Sequence, residues 1–127
     1  MKRAPYHALR LIGCAALLVL TIEARAADQF RMLDGKQIRA RMVGKDITDG
    51  AHWTLYLRPD GSLVGSESGD SWTGSWKIRD DRLCMTQPGS TSLVCNEVWM
   101  SGANIRMRAN GDEKSLEAMV MAHQAKQ

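Results

Sequence analysis

His52-Trp53-Thr54-Leu55-Tyr56-Leu57-Arg58, followed by Pro59-Asp60-Gly61, decides the fold class. Trp53, Leu55 and Leu57 alternate with polar or amphipathic residues, the period of a strand with one buried face. Pro59-Asp60-Gly61 ends it with a turn whose glycine can take a positive φ. The pattern then repeats downstream. A return strand covers about 62–67, and Ser68-Gly69-Asp70 turns again. Trp72, Gly74, Trp76 and Ile78 share a face in the next strand, and Gly74 leaves room there for a neighbour. Asp80-Asp81 makes the next turn. Leu83 to Thr86 and Leu93 to Trp99 flank the loop Gln87-Pro88-Gly89-Ser90-Thr91. Symmetric pairing about that loop sets Cys84 opposite Cys95, where a disulfide can staple the two strands. A last hairpin is expected at Asn110-Gly111, and a two-residue turn there pairs Ile105 with Leu116 and Arg108 with Glu113.

Upstream of these strands one helix is signalled. Asp34 and Gln37 have the spacing of a capping box, and Leu33 and Ile38 that of a hydrophobic staple. Ile38 and Met42 fall on one face, and Gly44 suits a left-handed C-terminal cap. The helix is placed at about 35–43. The expected fold is therefore mainly β. It is an antiparallel meander of seven or eight short strands forming a small barrel or bent sheet, with one N-terminal helix over an opening.

The first 26 residues read differently. Lys2, Arg3 and Arg10 lead into the apolar run Leu11 to Ile22, and Ala24-Arg25-Ala26 follows. This is the layout of a secretory signal peptide cut before Ala27. The run is too short to span a bilayer. Leu11-Ile12-Gly13-Cys14 has the look of a lipobox, but most of the apolar run lies after Cys14 rather than before it. The expected product is a single β-rich domain, 27–127, periplasmic or secreted and not membrane-spanning. The whole chain has 17 Lys+Arg and 14 Asp+Glu. Four basic residues and one acid belong to the signal, which leaves 13 of each sign. A neutral domain offers no bulk charge for nucleic acid. Two cysteines in an oxidising compartment read as one disulfide.

Gly74-Ser75-Trp76-Lys77-Ile78, Asp81-Arg82-Leu83-Cys84 and Cys95 together resemble a family of small exported proteobacterial β-domains with a G-x-W … L-C … C core. That family also begins with a short helix and has no assigned activity, so the resemblance implies a fold and a compartment. Its lipocalin-like look is an analogy of architecture. Ser101-Gly102-Ala103 and Gly111-Asp112-Glu113 are similar to two motifs of the periplasmic inhibitors of C-type lysozyme. That similarity implies an inhibitor loop in which Ser101 enters a lysozyme cleft. Asn110 stands where that family has a lysine.

Catalytic chemistry finds little material. The exported part has two histidines, His52 and His123, and Gly65-Ser66-Glu67-Ser68-Gly69 carries Glu67 where a nucleophile elbow needs serine. No enzyme and no cofactor are expected. Met119, Met121 and His123 alternate, and thioether with imidazole suits Cu(I). Trp53, Trp72, Trp76 and Trp99 either fill a core or line a ligand pocket, since an eight-stranded barrel is just wide enough for side chains or one small ligand. The expected function is non-enzymatic binding of an envelope protein or small ligand, with lysozyme-type inhibition or Cu(I) binding as alternatives.

Overall fold

The computed structural model describes residues 29–109 and 114–125. Residues 1–26, read above as a signal peptide, lie outside them, as do Asn110-Gly111 and the Gly111-Asp112-Glu113 motif. The elements are β1 (Arg31–Met32), α1 (Gly35–Met42), β2 (Lys45–Thr48), β3 (Trp53–Leu57), β4 (Ser62–Glu67), β5 (Asp70–Arg79), β6 (Arg82–Thr86), β7 (Leu93–Ser101), β8 (Asn104–Ala109) and β9 (Leu116–Ala122). Strands β2 to β9 pair antiparallel in sequence, and β9 pairs back onto β2, which closes an eight-stranded barrel. The meander and barrel are as expected. The strand count is nine because β1 adds two residues beside β7.

Tight turns dictate the meander. Gly61 has φ +90°, and the pairs Ser68/Gly69 and Asp80/Asp81 all take positive φ. Such pairs match the right-handed twist of the strands they join. Cys84 pairs directly with Cys95, and the two form a disulfide. One register differs from expectation. Ile105 pairs with Ala118 and Met107 with Leu116, two residues out from the pairing a two-residue turn would impose. A two-residue shift leaves the same side chains inside, so alternation alone does not choose between the registers. The register adopted sets Arg106 opposite Glu117, with Nε–Oε1 2.9 Å, and Ile47 opposite Val120.

The capping box is present. Asp34 Oδ1 accepts from Gln37 N and Gln37 Oε1 from Asp34 N, both at 2.9 Å. Removing the cap in Asp34→Ala should cost about 1 kcal/mol, readable as a fall in urea midpoint. The start of α1 is tied to the barrel by Asp81, whose Oδ1 accepts from Gly35 N at 2.8 Å. Gly44 has φ +78°, as expected of a left-handed cap, but its N–H goes to Leu57 O rather than to a helix carbonyl. The turn thus sews the helix to β3. Ile38 and Met42 are fully buried and close one end of the barrel over Ile47, Leu57, Leu63, Trp76, Leu83, Val98 and Ile105. Among the described residues no helix is long and apolar enough to cross a membrane.

Candidate functional site

The helix covers one end of the barrel and leaves the other open. Opposite α1, Leu55, Leu63, Trp72, Met85 and Met107 line a cavity of about 140 Å³ inside the barrel, with Thr86, Gln87, Val94, Asn96 and Leu116 around its mouth. The barrel is thus filled at its helix end and hollow near its open end. Its rim is mixed, with two exposed apolar side chains among the polar ones: Leu116 is 48% exposed and Val94 37%. Methionine is well suited to such a wall, because its thioether adapts to irregular contents.

Two glycines shape this interior. Gly65 pairs with Trp72 across β4 and β5, and a Cβ at Gly65 would fall among the Trp72 indole atoms. The missing side chain lets the indole lie flat against the sheet. A Cβ at Gly74 would meet Thr86 Oγ1. That hydroxyl accepts from Ser75 N at 3.0 Å, at the place where the β5–β6 ladder gives out. The room expected beside Gly74 therefore holds a threonine that extends the ladder by a side chain.

The four tryptophans take three different situations. Trp76 is core: it is 6% exposed, its Nε1 donates to Arg58 O at 2.8 Å, and Arg39 lies over its ring at 5.6 Å. Trp53 and Trp72 are half-buried and pack against the core from the open end. Trp99 is on the outer face of β7, paired with Arg106 and grouped with Phe30 and Arg108. Ser101 ends β7 at 6% exposure, while Gly102 and Ala103 are exposed in the turn that follows. In this loop the motif serine is tucked in and its neighbours face solvent.

Met119 and Met121 point outward, at 40% and 39% exposure, as strand alternation expects. Met121 stands opposite Asp46 on β2, and His123 turns to Tyr56 and that same aspartate. The imidazole stacks on Tyr56 with centroids 3.5 Å apart and planes 8° from parallel. Its Nδ1 is 2.7 Å from Asp46 Oδ1. Gln124 N donates to the other oxygen of Asp46 at 3.0 Å. Met119 instead reaches toward Gly50. Asp46 and Tyr56 were not among the residues singled out from the sequence, because 77 positions separate Asp46 from His123. Among the described residues no group of three or more His, Cys, Asp or Glu is placed to hold a metal ion.

Beside the mouth, Asp49 organises the loop between β2 and β3. Its Oδ1 accepts from the N–H groups of Ala51, His52 and Trp53. Those backbone bonds, Ala51 first and His52 next, hold its carboxyl far below the usual carboxylate range. A group with a depressed pKa contributes above its unfolded value and loses that contribution as pH falls through its folded one. The loop should therefore keep its geometry well below pH 4. In a carbon-detected NMR titration, the Asp49 carboxyl shift should stay flat at pH 3, where ordinary aspartates are already protonating.

In comparisons with known proteins, no family model, curated protein sequence or solved structure matches this chain.

Proposed function

We propose that the chain is an exported, non-enzymatic β-barrel domain that receives a small apolar group in its open end. The observation that carries this reading is the cavity of about 140 Å³ walled by Leu55, Leu63, Trp72, Met85 and Met107. A dry apolar cavity of about 150 Å³ is large enough for benzene. The group received is thus a small aromatic or the end of a short alkyl chain. The exposed apolar side chains of Val94 and Leu116 at the rim guide it in. The periplasmic or secreted location is supported by the Cys84–Cys95 disulfide, a bond that persists where thiols are not kept reduced.

Titration with toluene tests this. Trp72 forms part of the cavity wall, so its fluorescence should change saturably. Leu116→Trp, at an exposed rim position, should narrow the entry and weaken the response at least tenfold while the protein stays folded. A linear, non-saturating response in the unsubstituted protein would reject the cavity as a site. So would a Leu116→Trp variant with unchanged affinity and proton shifts that map away from Met85 and Met107.

A further inference from the structure

The outer face of the barrel carries a second depression, separate from the mouth. It has a volume of about 520 Å³ and runs over β2, β3, β4 and β5, with the C-terminal residues 123–125 as its wall. Asp46, Tyr56, Arg58, Ser66, Ser71 and His123 supply its polar lining, and Val64 an apolar floor.

The hydrogen bonds of this groove are unevenly spent. Asp46 is 7% exposed, and both its oxygens are occupied, one by His123 Nδ1 and the other by Gln124 N. The acid beside Arg58 is Asp60, and its Oδ1 is taken by the N–H and hydroxyl of Ser62. Asp46 is thus fully engaged by the protein itself, and Asp60 makes its hydrogen bonds to Ser62 rather than to Arg58. Among the described residues the Arg58 guanidinium and the hydroxyls of Tyr56, Ser66 and Ser71 form no side-chain hydrogen bond. With Nδ1 directed at a carboxylate, the second ring nitrogen of His123 is left over on the far side of the imidazole. The ring itself is fixed between Asp46 and the Tyr56 face. A surface that offers one cation and several hydroxyl donors, with its buried acid Asp46 fully engaged, complements a ligand rich in acceptor oxygens.

From this arrangement we infer that the groove binds an oxyanion carried on a short apolar body. The oxyanion meets Arg58, and the apolar body lies on Val64 toward the Ser66 and Ser71 end of the groove. The buried Asp46 acts through His123: it holds the imidazole and the C-terminal wall in place and does not touch the ligand.

Two-dimensional NMR titration of the full exported chain tests the inference with three probes: hexanoate, phenyl phosphate and the neutral hexanamide. Hexanoate or phenyl phosphate should shift the amides of Val64, Ser66 and Ser71 saturably, and hexanamide should do so at least tenfold more weakly. Whichever oxyanion binds tighter assigns the head group as carboxylate or phosphate. Arg58 is exposed, so Arg58→Gln should stay folded and weaken the oxyanion at least tenfold. Asp46→Asn should also weaken it and abolish the upfield ring-current shift of His123, whereas Arg58→Gln leaves that shift in place. Overturning results are no saturable shift in the groove with either oxyanion, equal affinity for hexanamide, or an Arg58→Gln variant that binds as well as the unsubstituted protein. Shifts confined to Met85 and Met107 would place the probes in the barrel mouth and reject this groove while leaving the mouth reading intact.

Discussion

Trp76→Ala should lower the unfolding free energy by about 3–5 kcal/mol, the range for deleting a large aromatic from a core. Three contributions meet at this side chain. The indole fills space among Leu57, Leu63, Leu83 and Met85 under the helix. Its N–H donates to Arg58 O, which also accepts from Gly61 N and so anchors the turn between β3 and β4. Arg39 of α1 lies over its face. Domains of this size have about 5–15 kcal/mol in total, so the variant should melt early or fail to accumulate. Trp76→Phe should fall between, because it keeps most of the buried area but loses the hydrogen bond, worth about 1 kcal/mol, and leaves a smaller cavity. Trp99→Ala, on the outer face, should cost about 1 kcal/mol or less. Urea unfolding of the three variants checks the order. Equal midpoints for Trp76→Ala and Trp99→Ala would contradict the core assignment.

Loss of the disulfide should be the next largest effect. Cys84 and Cys95 are 11 positions apart and bind β6 to β7, strands that the long loop 87–92 would otherwise join loosely. A crosslink of this span is worth about 2–4 kcal/mol through the unfolded chain it restrains. For a domain of about 100 residues that corresponds to a fall in Tm on the order of 10–20 °C. Cys84 is fully buried, so the cleanest test is the Cys84→Ala/Cys95→Ala pair, which leaves no polar group behind. A Tm within a degree or two of the parent would show that the ladder alone holds the two strands.

Much of the barrel was legible because its turns are chemically explicit. Pro59-Asp60-Gly61 and Asp80-Asp81 mark their corners by residue type, and the loop symmetry around Pro88-Gly89 sets Cys84 against Cys95. The helix was legible down to its cap, since Asp34 and Gln37 satisfy each other locally. What was missed is non-local. β2 is four residues long and was not resolved as a strand, because its polar start Lys45-Asp46 carries no clear alternation. Its place is set by two partners, one of them at the far end of the chain. The β8–β9 register differs by two residues because the inner faces fit either way; the one adopted sets Arg106 opposite Glu117 and Ile47 of β2 opposite Val120. The mouth cavity was half legible. Trp72 was singled out, but Met85 and Met107 looked like ordinary strand residues until the barrel brought them together. The groove at Asp46 needed His123, which strand alternation grouped with Met119 and Met121 instead.

The seam between β2 and β9 also decides when the molecule can form. Seven of the eight joints in the ring connect neighbours in sequence, and this one bridges most of the described chain. Local hairpins can assemble as they emerge, yet the cylinder stays a curled ribbon with two open margins until residues 116–122 arrive. Contacts of such long sequence separation slow folding, since a large loop must close before they contribute. Each open margin is meanwhile a template for another chain. A molecule cut short before Leu116 would keep its turns, its disulfide and most of its core, and still present two unpaired edges. Its expected fate is edge-to-edge self-association rather than simple unfolding, so the final strand acts as the protein's own guard against aggregation.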